Sequence, residues 1–240
     1  MEKELKNFEE LEQKTAEEIL SWAVETFKDK VALASSFGAE DVVLVDMLSK
    51  ISPRMKIFTL DTGRLPQETY SLIEEIRKRY QVNIEFYFPD TQRIEEMLNK
   101  YGPNLFYKSV ELRRLCCEIR KVEPLQRALK GLSAWVCGLR RGQSVTRQEI
   151  KKIEVDDAHG GIYKLNPLAD WSEKDVWDYI HKNNVPYNAL HDKGYSSIGC
   201  SPCTRAIKPG EDIRAGRWWW ESPEHKECGL HPYRLRRKKC

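Results

Sequence analysis

The fold is decided by the stretch Val31-Ala32-Leu33-Ala34-Ser35-Ser36-Phe37-Gly38-Ala39-Glu40-Asp41-Val42-Val43-Leu44. Its first four residues are an apolar run of strand length. From Val42 onward, apolar residues recur at helical spacing through Leu48. The polar residues 35–41 separate the two patterns. The stretch therefore predicts a strand, a polar loop and a helix.

The same unit recurs along the chain. Strands are predicted at 56–60, 82–88 and 134–139, and helices at 66–80 and 91–100. Strands that alternate with helices of this length predict an α/β fold with a doubly wound, mostly parallel sheet. Ligands of such sheets bind beyond the carboxyl ends of the strands. The loops at 35–41 and 61–64 lie at two such ends.

Other segments add helices and a tail. Thr15 and Ser172 are typical helix caps, and a helix from about Glu111 to Leu129 is predicted to bend near Pro124. A polar hairpin is expected at 150–164. After residue 183 the chain reads as loop, so we expect an α/β domain over residues 1–209 and a mobile C-terminal segment over 210–240, with Gly210 and Gly216 near the hinge.

Composition limits the class of protein. The 240 residues include 40 basic and 37 acidic side chains, a formal net charge of +3, which does not indicate nucleic acid as a partner. The sequence contains no apolar run long enough to cross a membrane, and its first residues do not resemble a signal peptide. We therefore expect a cytoplasmic protein without a membrane partner, in which the seven cysteines are mostly reduced.

Four cysteines occur as two tight pairs, Cys116-Cys117 and Cys200-Ser201-Pro202-Cys203. Adjacent cysteines cannot form a disulfide with each other without strain. Ligands of one zinc ion are usually separated by two to four residues, whereas adjacent cysteines on a helix diverge and suit a larger iron–sulfur cluster. Spacing alone leaves three alternatives open: a cluster, a zinc site, or two buried thiols plus a redox pair.

Cys228 is a candidate nucleophile near the end of the sequence. Gly229 follows it, and Lys226 and His231 are cationic neighbours that would favour a thiolate. A single cysteine in a polar tail is also compatible with an incidental surface thiol, as is Cys240, while Cys137 within an apolar strand is expected in the core.

Several of these motifs together resemble the assimilatory adenylyl-sulfate reductases, the iron–sulfur branch of the PAPS reductase family. The similar segments cover nearly the whole chain: Cys116-Cys117-Glu118-Ile119-Arg120-Lys121-Val122-Glu123-Pro124-Leu125, Gly138-Leu139-Arg140-Arg141, Pro186-Tyr187-Asn188, Leu190-His191-Asp192-Lys193-Gly194-Tyr195, Ser197-Ile198-Gly199-Cys200-Ser201-Pro202-Cys203-Thr204 and Glu227-Cys228-Gly229-Leu230-His231. The resemblance implies a PP-loop fold like that of the adenine nucleotide α-hydrolases, a [4Fe-4S] cluster and reduction of adenosine 5′-phosphosulfate (APS) to sulfite and AMP.

The resemblance also implies roles for individual residues. Cys116, Cys117, Cys200 and Cys203 would bind the cluster, and Cys228 would be the catalytic nucleophile. Substrate binding would fall to two loops and a set of cations: Ser35, Ser36, Gly38, Glu40, Asp41, Leu60, Asp61, Thr62, Gly63, Lys121, Arg140, Arg214 and Arg217. We expect the amides of the first loop and the following helix N-terminus to face the anion, and which of Arg140 and Arg141 reaches the substrate stays open.

The chemistry implied has two steps. The Cys228 thiolate attacks the sulfate sulfur and AMP leaves, and thioredoxin then releases sulfite from the resulting S-sulfocysteine. Because no thioredoxin-like domain follows His231, we expect thioredoxin as a separate partner, and we expect a homo-oligomer. Three alternatives remain: the same reaction on 3′-phosphoadenosine 5′-phosphosulfate (PAPS), an RNA-thiolating PP-loop enzyme, and a zinc-containing nucleotide-binding protein without catalysis. The four paired cysteines favour APS over PAPS within the family.

Overall fold

A computed structural model describes residues 8–144, 147–222, 226 and 229–230. Helices and strands alternate along most of this part of the chain. The helices are α1 (Phe8–Glu12), α2 (Ala16–Phe27), α3 (Ala39–Ile51), α4 (Gln67–Tyr80), α5 (Thr91–Tyr101), α6 (Val110–Cys117), α7 (Glu123–Leu129) and α8 (Glu173–Lys182). The strands are β1 (Val31–Ala34), β2 (Lys56–Leu60), β3 (Ile84–Tyr87), β4 (Ala134–Val136), β5 (Ile153–Asp156) and β6 (Ile162–Leu165).

The strands form one sheet in the order β3-β2-β1-β4-β6-β5. All neighbouring pairs are parallel except β5 with β6, which form the predicted hairpin at one edge. The predicted α/β fold with a doubly wound, mostly parallel sheet is confirmed. After β1 the chain continues to β2 on one side, while β4 pairs on the other side of β1. This reversal opens a crevice beyond the carboxyl ends of β1 and β4, the usual ligand position in such sheets.

Apolar side chains cover both faces of the sheet. Val31 and Leu33 face one hydrophobic cluster with α2, α3 and α8, whereas Ala32 faces a second cluster with α7. The alternation has the two-residue period of a strand. Helix α2 starts as predicted, with a capping box between Thr15 and Glu18.

The helical segment after residue 110 differs from the prediction of one helix bent near Pro124. It is interrupted earlier, by a π-helical turn at Glu118–Val122 between α6 and α7. A π turn inserts one extra residue and rotates the side chains that follow, and such turns are frequent at functional sites. Lys121 lies inside this turn. Helix α4 begins one residue later than the predicted range 66–80, because Pro66 is its N-cap.

Residues after α8 form loops that return to the cysteine-bearing segment. A short antiparallel bridge joins Thr204 to Arg217, and the amide of Trp218 donates to the Cys203 carbonyl oxygen at 3.2 Å. Trp218 is buried in one hydrophobic cluster with the four paired cysteines. The predicted boundary between residues 209 and 210 stays a prediction, and residues 216–221 are packed against the rest of the fold. Over the described ranges 8–144 and 147–222, no helix has the length and apolar character needed to cross a lipid bilayer.

Candidate active site

A cavity of about 240 Å³ lies beyond the carboxyl ends of β1, β2 and β4. Eleven of the thirteen predicted substrate-binding residues line it: Ser35, Ser36, Gly38, Glu40, Asp41, Leu60, Thr62, Lys121, Arg140, Arg214 and Arg217. The other two, Asp61 and Gly63, belong to the second loop but are not among the lining residues. Cys228, the predicted nucleophile, lies outside the described residues, as do His231 and Cys240. The structure thus brings the two loops and the predicted cations to one place.

The first loop is held by its own side chains. The amide and the hydroxyl of Ser36 both donate to Asp41 Oδ2, at 2.6 and 2.8 Å, and the amide of Phe37 donates to Ser35 Oγ at 3.2 Å. The Ser35 amide donates to the Phe58 carbonyl oxygen. These three amides are therefore used within the fold, and the expectation that the loop amides face an anion does not apply to them.

Two glycines border this loop, and they differ in how closely other atoms approach them. Gly38 has a φ of −71°, and the left-handed conformation is adopted by Phe37, with a φ of 57°. Gly138, which follows β4, is the crowded position. A Cβ atom there would lie 2.5 Å from Asp41 Oδ1 and 2.8 Å from Glu40 Cβ. The absence of a side chain at Gly138 lets α3 approach β4 at the floor of the cavity.

Burial raises the pKa of Asp41 to about 6, against the lowering effect of the Ser36 hydrogen bonds, and Glu40 raises it further. A raised pKa means that the folded state favours the proton. Its contribution to stability is therefore complete below the unfolded-state pKa and is lost as the pH rises through about 6.

We expect Asp41→Asn to remove this pH dependence, because asparagine resembles the neutral acid and its oxygen can still accept from Ser36. Relative to the unmodified protein, the variant should gain up to about 3 kcal/mol in the free energy of unfolding between about pH 4 and about pH 7. Denaturant unfolding at several pH values measures the difference. Asp175→Asn is the opposite control, because hydrogen bonds from Ser172 lower the pKa of Asp175. A stability difference for Asp41→Asn that stays constant with pH would contradict the prediction.

The second loop joins the cavity to the cysteines. Asp61 Oδ1 accepts hydrogen bonds from the Gly63 amide at 2.8 Å and from the Tyr70 hydroxyl at 2.9 Å, so this carboxylate shapes the loop. The Thr62 hydroxyl lies 3.2 Å from Cys200 Sγ, and the Thr62 carbonyl oxygen accepts from Arg120 Nη1. Thr62 therefore contacts Cys200 through its hydroxyl group and Arg120 through its carbonyl oxygen.

The four paired cysteines surround a second, smaller cavity next to the first. Cys116 and Cys117 approach it from the end of α6, and Cys200 and Cys203 from a short 3₁₀ turn, each being 7–8% exposed. Four cations line the same cavity: Arg64, Arg113, Arg120 and Lys121. In the described ranges 8–144 and 147–222, no group of three or more His, Cys, Asp or Glu side chains is arranged to hold a single metal ion. This arrangement of four buried thiols around a common space fits a cluster, whose corners are separate, better than one zinc ion.

The nearby cations lower the pKa of Cys200 but do not offset the effect of burial on the pKa values of Cys116 and Cys203. Burial raises the pKa of Cys116, and it raises the pKa of Cys203 to about 12. Burial acts in the same direction on Cys200, but Lys121, the Thr62 hydroxyl, Arg217 and Arg120 together lower the pKa of this thiol. Lys121 lines both cavities, so the π turn places one ammonium group between the cysteines and the larger cavity.

The two arginines of the C-terminal segment have defined positions. Arg217 Nη1 donates to the Ile198 carbonyl oxygen at 3.1 Å, and its guanidinium group packs so closely on Gly199 that a Cβ atom there would lie 2.3 Å away. Arg214 Nη2 donates to the Lys226 carbonyl oxygen at 3.0 Å. Leu230 lines the larger cavity as well. Described residues on both sides of position 228 therefore lie at this site.

Arg140 and Arg141 have different partners. Arg140 is buried in the cavity wall, where its Nε and Nη2 both lie 2.7 Å from Glu40 Oε1. Arg141 points elsewhere, to Glu12 Oε2 at 3.0 Å and to the Ile150 carbonyl oxygen. Arg140 is thus the arginine that reaches the cavity, but as half of an ion pair.

Sequence reasoning did not select three further residues of the cavity. Arg147 is buried in the lining and donates to Gln143, and His191 also lines the cavity, with a buried Nε2 atom that has no hydrogen-bond partner among the described residues. Glu173, at the start of α8, lies near His191. Arg147 is one of several basic residues crowded in the middle of the sequence, a pattern that suits an anionic ligand, but nothing local distinguishes it from the others.

Comparisons with known proteins agree with this architecture. The domain model named phosphoadenosine phosphosulfate reductase domain matches residues 30–206. An adenosine 5′-phosphosulfate reductase of Allochromatium vinosum is 56% identical over 203 residues, which cover 85% of this chain and 79% of that protein. A relative of the same name from Burkholderia cepacia is 55% identical, over 85% of this chain and 81% of that protein.

Solved structures extend the comparison. A phosphoadenylyl-sulfate (PAPS) reductase from Candida auris, in a phosphate complex, has a TM-score of 0.70 and 32% identity, over 85% of this chain and 97% of that one. An FMN adenylyltransferase from Candida glabrata, solved with ATP, has a TM-score of 0.55 at 18% identity, over 89% of this chain and 72% of that one, a likeness of fold alone. The expected PP-loop-like α/β fold is confirmed by these neighbours.

Proposed function

Because the chain belongs to the phosphoadenosine phosphosulfate reductase family, we propose that it reduces adenosine 5′-phosphosulfate to sulfite and AMP in sulfate assimilation and cysteine biosynthesis. The observation that carries the proposal is the meeting of Lys121, Arg214 and Arg217 at one cavity, directly beside four buried cysteines. The names of the relatives at 55–56% identity support APS as the substrate.

The cations in the cavity would reduce charge repulsion, which is the main obstacle to the proposed reaction. The sulfur of a sulfate group is electrophilic, but its negative oxygens repel an anionic nucleophile. Lys121, Arg214 and Arg217 would neutralise those oxygens and the charge that develops on the leaving phosphate, which is the type of fixed electrostatic stabilisation that lowers such barriers. Arg147 is a further cation in the same cavity wall.

Cys228 is the proposed nucleophile. Its thiolate would form a bond to the sulfate sulfur while the bond from that sulfur to the phosphate oxygen breaks and AMP leaves. A thiolate of thioredoxin would then attack Cys228 Sγ, sulfite would leave with the electron pair, and the second thioredoxin thiol would resolve the mixed disulfide. The two electrons come from the thioredoxin dithiol, and Cys228 returns to its thiolate.

Cys228 must meet a nucleotide in a cleft and then a second protein, so the proposal needs a segment that moves. The contact between Arg214 and the Lys226 carbonyl oxygen and the position of Leu230 in the cavity lining support the first of these two locations. Glu221 is tied to α6, which favours a hinge after residue 221 over one at Gly210 or Gly216. The mobile part would then be shorter than residues 210–240.

Cys116, Cys117, Cys200 and Cys203 would hold the [4Fe-4S] cluster. The cluster would supply a rigid link between α6 and the 201–203 turn and a local charge beside Lys121. This chain's own residues do the rest: the π turn orients the Lys121 ammonium group toward the cavity, and Thr62 connects the nucleotide loop to Cys200.

The test is sulfite release from APS and from PAPS by anaerobically purified protein with reduced thioredoxin. We expect release from APS, a smaller rate with PAPS, and about four iron atoms per chain with the visible absorption of a cluster. PAPS reduction is the second candidate, supported by the Candida auris structure. Release from PAPS alone would replace the proposal with that candidate, and release from neither nucleotide would reject both.

A further inference from the structure

The larger cavity has two electrostatically different ends. Lys121 and Arg217 lie toward the cysteines: Lys121 lines both cavities, and the guanidinium group of Arg217 packs on Gly199, next to Cys200. The other end holds the carboxylates of Glu40 and Glu173 and the ring of His191. An anionic phosphosulfate is attracted to the first end, so the nucleoside must extend toward the second.

Glu40 lines the cavity, and one of its two carboxylate oxygens is paired with Arg140. Its Oε1 lies 2.7 Å from both Nε and Nη2 of Arg140, and Arg140 is also held by the Trp171 carbonyl oxygen at 3.4 Å. The two side chains are 4% and 17% exposed. No described residue donates a hydrogen bond to Glu40 Oε2, which lies on the side of Gly38, 3.9 Å from where a Cβ atom of that glycine would be.

We propose that Glu40, held in place by Arg140, makes the site specific for a ribose with a free 3′-hydroxyl and excludes a ribose that carries a 3′-phosphate. The inference rests on the proposed function, since it assigns the nucleotide that the same cavity accepts. Oε2 is the acceptor for the 3′-hydroxyl proton. A 3′-phosphate is mostly dianionic at neutral pH, so it seldom has a proton to donate and brings nearly two negative charges to a carboxylate.

Two features make this discrimination strong. A site built to accept a hydrogen bond from a substrate hydroxyl discriminates more sharply than an apolar pocket, because the buried polar atom is otherwise left without a partner. Arg140 lies at this end as well, and its Nε and Nη2 atoms are already paired with Glu40 Oε1. Glu40 therefore has two roles: it accepts the hydrogen bond from the 3′-hydroxyl, and it neutralises the charge of Arg140.

The unmodified protein provides the first test, through equilibrium binding of unreactive nucleotides. AMP, 3′-deoxy-AMP, 2′-deoxy-AMP and adenosine 3′,5′-bisphosphate are compared by calorimetry. We expect loss of the 3′-hydroxyl to weaken binding by about tenfold or more, the usual cost of a hydrogen bond to a charged group. The 3′-phosphate should weaken it at least as much, and loss of the 2′-hydroxyl should matter less. Equal affinities for AMP and adenosine 3′,5′-bisphosphate would overturn the proposal.

Glu40→Gln tests the residue itself. The amide oxygen can still accept from Arg140, the negative charge is gone, and the affinity for adenosine 3′,5′-bisphosphate relative to AMP should rise about tenfold or more. Glu173→Gln removes a charge from the same end at an exposed position, so its effect on the ratio should be smaller. If both variants change the affinity ratio equally, the selectivity comes from the general negative charge at this end of the cavity, and the specific role of Glu40 is contradicted. A protein that binds none of these nucleotides contradicts the proposed function, whereas one that binds AMP without discrimination contradicts only the role of Glu40.

Discussion

Replacing Cys228 by serine is expected to abolish sulfite release, with a loss of several orders of magnitude. A serine hydroxyl is not ionised at neutral pH and cannot accept the sulfonate group, so no S-sulfo adduct forms. Serine is close to cysteine in size, and the described residues that line the two cavities are unchanged, so AMP binding and the visible absorption of a cluster should be unchanged. Cys228 lies outside the described residues, which makes this experiment the direct assignment of the nucleophile.

Intact-protein mass spectrometry after incubation with APS, without a reductant, measures the first step alone. The unmodified protein should gain the mass of one sulfonate group, reduced thioredoxin should remove it, and Cys228→Ser should gain nothing. Cys240→Ser is the matched control, a second thiol near the end of the sequence that is expected to be incidental. An adduct that still forms at the normal rate in Cys228→Ser would disprove the assignment of Cys228. Loss of the adduct in Cys240→Ser would assign the role of nucleophile to Cys240.

Replacing Glu221 by alanine is expected to destabilise the protein by about 3–5 kcal/mol, because it removes the carboxylate that balances the charge of a buried guanidinium group. Arg113 Nε and Nη2 donate to the two carboxylate oxygens of Glu221 at 2.9 and 2.8 Å, and the side chains are 0% and 2% exposed. The same guanidinium group lies 4.8 Å from the Trp218 ring centroid. This pair fastens the segment that holds Arg214 and Arg217 to the helix that ends in Cys116 and Cys117.

The effect should therefore reach beyond stability. Glu221→Ala is expected to lose bound iron faster on exposure to a chelator and to bind AMP more weakly, because both cavities share this attachment. Denaturant unfolding, iron content and calorimetry are the three measurements. The double variant Arg113→Leu/Glu221→Met should recover most of the stability, since an apolar pair of similar volume can replace a buried ion pair.

An exposed ion pair provides the comparison for Glu221→Ala. Lys174 and Asp178 pair on the surface of α8, with side chains that are 80% and 60% exposed, and Asp178→Ala should change stability little. Equal effects of Glu221→Ala and Asp178→Ala would contradict the structural role given to the buried pair.

Much of the fold follows from local patterns. The β1 residues Val31–Ala34 and the β2 residues Lys56–Leu60 occur where apolar runs predict them, and Thr15 and Ser172 cap helices as expected. These signals depend on neighbours a few residues apart, through side-chain periodicity and the free amides of a helix end. Alternation of strands and helices then limits the sheet to a mostly parallel arrangement.

Only part of the candidate site could be predicted from local patterns in the sequence. The two loops and Lys121, Arg214 and Arg217 were found from sequence, because loops after parallel strands meet at one edge and because the motifs resemble those of the family. Arg147 and His191 were missed, and the pairing of Arg140 with Glu40 was not foreseen. These depend on contacts across the fold, between residues 100 positions apart in the case of Arg140 and Glu40.

The sequence by itself determined the α/β class, the position of the ligand cavity at the strand ends and the two cysteine pairs, because each is written in residues close together in the chain. Only the tertiary structure decided where the π turn of Glu118–Val122 places Lys121, which arginine is neutralised by a carboxylate, and that Glu221 holds the C-terminal segment against α6. The physical reason is that charge pairing and burial depend on distances between segments, and those distances exist only after the chain has folded.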